Sequence, residues 1–272
     1  MEVTKALYKV CRRSFITYML WQKILSAAKE QLEREPDLAE YLNSIIFSQK
    51  SLLGSISSIL SHKLHLKNFS SQKLEDILVE VFHSNPMILK DIEEDLLFFQ
   101  SNDPACHSSL TPLMFYKGFH GLACYRAANE LWKNNRFGLA LFLQSRSSEV
   151  FGIDIHPAAK IAGGIMIDHA TGVVIGETCS IQKNVSIFQG VTLGGKGNQE
   201  GKRHPDILEG ASIFASSTIL GDITIGKNAI VAAGSLVLKN VLANETVAGI
   251  PARKVKDLIK NQSEWDPGDS SL

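Results

Sequence analysis

The sequence predicts an α+β chain. An all-helical N-terminal domain (residues 1–150) precedes a parallel β-helix of hexapeptide repeats (151–255) and a flexible C-terminal tail (256–272). Three observations carry that prediction. Apolar residues recur at spacings of three and four through the first half, a six-residue period replaces them near Phe151, and the end of the chain from Gln262 is polar and contains Pro267 and Gly268.

The helical elements follow in chain order. Residues 18–31, 36–50, 73–83 and 87–100 keep the helical spacing; in the last, Ile88, Ile92, Leu96 and Leu97 form one stripe and Lys90, Glu93 and Glu94 lie off it. Ser70 or Ser71 caps the helix that begins near Gln72, with Glu75 following. Thr111-Pro112 opens a helix that runs to about Lys133, because threonine caps well and proline suits a first helical position. Asn134, Asn135 and Gly138 break it, and a last helix covers 139–149.

In the second half Ile175, Ile181, Ile187 and Leu193 stand six apart, as do Ile207, Ile213, Ile219, Ile225, Val231 and Val237. A second column, Ile155, Ile161, Ile167, Val173, Cys179, Val185 and Val191, runs in step. Each unit supplies one short strand and one turn, and three units make a triangular coil. No single coil buries its own apolar face, so stability comes from stacking. Glycine and asparagine at the corners tolerate positive φ. Between Leu193 and Ile207 the repeat slips, and the polar, glycine-rich stretch 194–206 is thrown out of the coil, a usual place for binding chemistry. It lacks the Walker pattern, since Arg203 follows Gly201-Lys202.

Composition excludes little but orients the reading. The 28 basic and 28 acidic residues cancel, which points to neither nucleic acid nor an anionic membrane. The apolar run from Phe15 to Trp21 is too short for a span and lacks a cleavage site. Cys11, Cys106, Cys124 and Cys179 form no metal-type pair and read as reduced thiols of a cytoplasmic protein.

Several motifs then narrow the reading. Asp154-Ile-His-Pro-Ala-Ala-Lys160, Gly164-Ile-Met-Ile-Asp-His-Ala-Thr-Gly172, Gly176-Glu-Thr178, Val191-Thr-Leu-Gly-Gly195, Lys202-Arg-His-Pro205 and Ala248-Gly-Ile-Pro-Ala-Arg253 resemble the serine O-acetyltransferase family. So do Asn102-Asp-Pro-Ala105, Thr111-Pro-Leu113 and Lys117-Gly-Phe119 upstream. The resemblance implies a left-handed β-helix and acetyl transfer from acetyl-CoA, a co-substrate, to L-serine, with no metal and no permanently bound cofactor. It implies His169 as general base with Asp154 orienting its ring from the adjoining coil. Asp168 and Asp103 would take the substrate ammonium, Arg203 its carboxylate, and His204 the substrate and the oxyanion. Coenzyme A would lie along Gly195, Ala215 and Ala233, with Arg253 near a phosphate.

Other readings of the same residues are blander or different. His156, before Pro157, reads as a corner residue, and Glu177 as structural. A hydroxyl acceptor such as homoserine or a sugar would keep the histidine base, but a sugar has no use for the charge pattern of Asp103, Asp168 and Arg203. A metal site of the carbonic-anhydrase kind needs three histidines, and the solenoid has His156, His169 and His204, two of them in the transferase motifs. The resemblance further implies a trimer, or a dimer of trimers joined through the helical domains. It implies also a C-terminal tail able to dock on O-acetylserine sulfhydrylase, although this chain ends in Leu272 where many members carry isoleucine.

Overall fold

The computed structural model describes residues 2–197 and 200–256, with side chains from residue 17 onward. The Cys11 side chain and the expected tail from 257 on, including Leu272, therefore lie outside what is described. The chain divides into two compact units, the first ending at Arg146 and the second beginning at Ser147.

The first unit is helical: α1 (Glu2–Arg34), a 3-10 turn and the short α2 (Ala39–Leu42), a π-helical turn (Asn43–Phe47), then α3 (Leu52–Leu64), α4 (Ser71–Ser84), α5 (Pro86–Asn102), α6 (Leu110–Phe115), α7 (Lys117–Lys133) and α8 (Phe137–Phe151), which crosses into the second unit. Capping chemistry explains several starts. Ser70 accepts the Lys73 N–H at 3.3 Å, and Asn85 accepts that of Met87 at 3.0 Å ahead of Pro86. No helix among the described residues is long and apolar enough to cross a membrane.

Three sequence expectations change here. Helix α3 was not expected, because serines hold buried positions that would otherwise reveal its apolar stripe: Ser55, Ser57, Ser58 and Ser61 are all buried. Ser57 and Ser61 satisfy their hydroxyls on the helix's own carbonyls, Leu53 O at 2.8 Å and Ser58 O at 2.9 Å, which makes burial tolerable. Second, Thr111-Pro112 does not open one long helix. Both residues lie inside α6, and the chain straightens at Tyr116 (φ −85°, ψ 108°) before α7 begins. Third, Gly138 does not break the chain but lies in the first turn of α8; the break is at Asn134 and Asn135, the latter at φ 59°. The unit's core also holds a charge pair. Arg126 of α7 forks onto Asp95 of α5 through Nε (2.7 Å) and Nη2 (2.8 Å), and each partner is at most 3% exposed. Removing one partner of such a buried pair costs about 3–5 kcal/mol.

The second unit is a parallel β-helix. Its strands β1 (Ile153–Ile155), β2 (Lys160–Ile161), β3 (Ile165–Asp168), β4 (Val173–Ile175), β5 (Ser180–Ile181), β6 (Val185–Phe188), β7 (Thr192–Gly194), β8 (Asp206–Ile207), β9 (Ser212–Ile213), β10 (Thr218–Leu220), β11 (Thr224–Ile225), β12 (Ile230–Val231) and β13 (Leu236–Val237) are dealt in turn to three sheets, β1-β4-β7-β10-β13, β2-β5-β8-β11 and β3-β6-β9-β12, with β14 (Thr246–Gly249) and β15 (Ala252–Lys254) extending the third. Every pairing between successive coils is parallel; only β14–β15 is antiparallel. Two residues of each unit face inward. Ile207, Ile213, Ile219, Ile225 and Val231 fill one column, and Ala211, Ser217 and Ala229 a second, two positions earlier.

The register corrects the reading of the repeat. Asp154 pairs with Val174, 20 positions on, whereas Val174 pairs with Thr192, 18 positions on. The first coil is thus two residues longer than the second, and the surplus falls between Ile167 and Ile175. The column Ile155–Ile161–Ile167 continues into Ile175, not Val173; Val173, Cys179, Val185 and Val191 belong to the second inward column. The expected column had crossed from one ridge to the other at an unseen insertion. The ejected stretch between Leu193 and Ile207 is confirmed by Ile181 pairing with Ile207.

Because the stack carries the stability, Ile213→Ala, at a wholly buried position, should destabilise the protein by about 3 kcal/mol. Ile230→Ala, 39% exposed on the outer face, should cost under about 1 kcal/mol. Urea unfolding of the full chain at fixed concentration measures both; equal costs would mean that the inward column is not what holds the coil.

Candidate active site

Three lines of corners run along the coil. The first joins the β1 sheet to the β2 sheet (residues 156–159, 176–179 and 195–205), the second joins the β2 sheet to the β3 sheet, and the third returns to the β1 sheet (169–172, 189–191, 214–217 and 232–235). At the second corner Gly164, Asn184, Gly210, Asn228 and Asn244 follow one another at φ between 54° and 75°. That left-handed position explains the choice of glycine and asparagine.

The two-residue insertion sits at the third corner and consists of chemistry-bearing residues. His169 (φ 54°) and Ala170 (φ 63°) are consecutive left-handed residues other than glycine, a conformation that costs about 1–2 kcal/mol per residue. Local bonds hold it: Asp168 Oδ1 accepts the His169 N–H at 2.8 Å, and Asp168 O and His169 O accept the N–H groups of Ala170 (2.6 Å) and Thr171 (2.8 Å). The His169 side chain is 70% exposed, with its Nε2 3.5 Å from Asp168 Oδ2. Strain that presents a histidine to solvent is a mark of a functional position.

The ejected loop returns to the first corner and brings Lys202, Arg203 and His204 over the Gly176-Glu-Thr178 turn. His204 is 8% exposed and packs against Gly176, where an added Cβ would come within 2.1 Å of ring Nε2. The Thr178 hydroxyl accepts the N–H groups of Arg203 (3.0 Å) and His204 (3.1 Å) and lies 2.9 Å from His204 Nδ1. Arg203 pairs through Nη2 with Glu177, and that guanidinium holds the Glu177 carboxyl below its usual range. Lys202 reaches Thr178 O (2.8 Å) and Asp206 (2.6 Å). Burial, followed by the charge of Arg203, lowers the proton affinity of His204.

The remaining candidates are distributed as follows. Asp154 stands in β1 opposite Val174, and its charge is felt by His156. His156 accepts the Ala158 N–H at 3.1 Å on Nδ1, a corner role, but it also shares the first corner with Glu177 and Arg203, whose charges reach it. Among the described residues His169 contacts Asp168 and not Asp154. Gly195 lies at the first corner, 3.3 Å from His204 Nε2 by a virtual Cβ; Ala215 and Ala233 lie at the third, where Ala215 O accepts the Gly234 N–H at 2.8 Å. Arg253 is exposed in β15. Asp103 lies in the helical unit, where its Oδ1 accepts the Ala105 N–H at 2.8 Å.

Asp168 and His169 therefore share one corner, and Arg203, His204 and Gly195 another. One six-residue side separates those corners, roughly 15–20 Å at ~3.3 Å per residue. The residue that sequence reasoning passed over is Thr178, visible there only as the end of a motif. Its role depends on a loop returning 25 residues later, which no local pattern announces.

A family model described as serine acetyltransferase, N-terminal, matches residues 20–124. A serine acetyltransferase of Haemophilus influenzae is 46% identical over 240 residues, covering 88% of this chain and 90% of the relative. A soybean serine acetyltransferase solved with serine has a TM-score of 0.84 at 46% identity, covering 87% of this chain and 97% of that one. A serine acetyltransferase solved in complex with CoA also has a TM-score of 0.84, at 45% identity, covering 88% and 99%. With the helical unit, the β-helix and the motif residues in place, the chain belongs to the serine acetyltransferase family.

Proposed function

We propose that the chain transfers the acetyl group of acetyl-CoA to the hydroxyl of L-serine, giving O-acetyl-L-serine and CoA for cysteine biosynthesis in the cytoplasm. The observation that carries the reading is where the motif residues fall. Asp168–His169 and Arg203–His204 occupy the two insertions that interrupt the inward stack between Ile153 and Val237, one on each of two corners. Relatives solved with serine and with CoA support the same substrates.

In this reading His169 removes the proton from the serine hydroxyl while the oxygen attacks the thioester carbonyl carbon. The carbonyl electron pair moves to oxygen, and His204 donates a hydrogen bond to the resulting oxyanion. The intermediate collapses, the C–S bond breaks, and the proton on His169 passes to the departing sulfur, so CoA leaves as the thiol. Asp168 takes the ammonium and Arg203 the carboxylate, which shares the guanidinium with Glu177. The pantetheine arm lies against Gly195, Ala215 and Ala233, and Arg253 meets a phosphate.

The roughly 15–20 Å between the two corners supports a site shared between chains over one gathered by a single chain. The reading therefore uses a homotrimer in which one chain presents Asp168 and His169 to the face of a neighbour bearing Asp154, Arg203 and His204. Asp154 then orients His169 across that contact. Pairs of trimers meeting through the helical units, and docking of the tail on O-acetylserine sulfhydrylase, extend the same reading.

Thiol release from acetyl-CoA with L-serine, L-homoserine or a simple sugar tests it. Wild type should release thiol with serine, and His169→Ala should lower kcat by about 10²–10⁴. Arg203→Ala should act chiefly on KM for serine, raising it by about tenfold or more while KM for acetyl-CoA stays put, because the lost contact is to the acceptor carboxylate. Release with a sugar but not serine would discard the roles given to Asp168 and Arg203.

A further inference from the structure

Besides the Lys202 bond to its carbonyl, four hydrogen-bonding contacts tie Thr178 to Arg203 and His204. Its hydroxyl oxygen receives the N–H groups of Arg203 (3.0 Å) and His204 (3.1 Å), and lies 2.9 Å from His204 Nδ1. Its own backbone N–H is aimed at that same nitrogen at 3.3 Å. A hydroxyl has one proton and two acceptor sites. With both sites filled by N–H groups, the proton of Thr178 has Nδ1 as its remaining partner. A nitrogen that faces an N–H and an O–H carries no proton of its own. A neutral imidazole keeps one proton, so it must sit on Nε2.

We propose that Thr178 is a positioning residue that locks His204 in the Nε2–H tautomer, so that the ring can only donate from Nε2 to the oxyanion. The proposal rests on the acetyl-transfer reading for its consequence, but the tautomer itself does not. The surroundings agree. Nε2 lies close to Gly176 and Gly195, neither of which has a side chain to reach it: a Cβ at those positions would lie 2.1 and 3.3 Å away. The charged and titratable groups facing the ring are Arg203, Lys202 and His156, which disfavour a second proton, and Glu177, which favours one; with burial as the largest cause, the ring is held below its ordinary proton affinity. It is thus neutral near pH 7, the state in which the tautomer decides whether Nε2 donates or accepts.

The test compares Thr178→Val, which removes the hydroxyl at nearly constant shape, with Thr178→Ser, which keeps it. Serine-dependent thiol release should fall by about tenfold to a hundredfold in Thr178→Val at pH 8. The loss should shrink only as pH falls below the lowered proton affinity of His204, where an imidazolium donates from either nitrogen. Thr178→Ser should stay within about threefold of wild type across that range. In full-length protein labelled with nitrogen-15 histidine, the His204 signals (assigned by their loss in His204→Gln) should show an unprotonated Nδ1 in wild type and Thr178→Ser, and a mixture of tautomers in Thr178→Val. A rate loss independent of pH with unchanged ring signals would overturn the proposal and leave Thr178 a merely structural residue. So would full activity in Thr178→Val. If wild type shows no serine-dependent release, the acetyl-transfer reading fails, while the ring signals still decide the tautomer.

Discussion

Everything in the second unit depends on keeping two inward columns of small and aliphatic side chains in vertical register. Each coil can bury its apolar face only against the next, so the stack does not absorb extra residues in its walls. Surplus chain must leave at a corner, where the backbone is already turning. The chain has two such surpluses between Ile153 and Val237, and they bear Asp168–His169 and Arg203–His204. Rigid packing thereby places mobile-looking chemistry on a fixed frame: the loop that carries His204 is tied back to the wall by Thr178, and the corner that carries His169 by Asp168.

The same constraint separates the two groups. Left-handed residues at His169 and Ala170 shape the third corner, while Gly176 leaves room for the His204 ring at the first. The two histidines also differ in their setting. His169 stands largely in solvent, whereas His204 is buried and surrounded by Arg203, Lys202, Glu177 and His156. An exposed, flexible-valence ring suits proton transfer, and a buried ring with one nitrogen committed suits fixed donation. In the proposed trimer, a second chain would bring the exposed group of one β-helix to the enclosed group of another.

Much of this was legible in the sequence, and the exceptions have physical causes. The six-residue period stands out because nearly every inward position from Ile175 to Val237 is aliphatic, and the slip after Leu193 is equally plain. The slip after Ile167 is hidden because both inward columns carry aliphatic residues there. A shift of two puts Val173 in the place of Ile175, and the aliphatic pattern runs on unbroken. Helix α3 was hidden for the opposite reason: serines that bond their own helix occupy buried positions, so polarity no longer reports exposure. The motif residues of the site were readable one by one, but their division between corners follows from which sheet each strand joins. Thr178 could be found only once the loop had returned to it.

The most direct measurement of whether the site is shared between chains is subunit complementation. His169→Ala and His204→Ala would be purified separately, each with its own residual activity, then mixed in equal amounts, dissociated and reassembled. If each site takes His169 from one chain and His204 from its neighbour, random reassembly restores about a quarter of the wild-type rate, because one site in four draws both intact residues. No recovery above the two separate residual rates, with mixed oligomers demonstrably formed, would place both histidines in one chain and contradict the account.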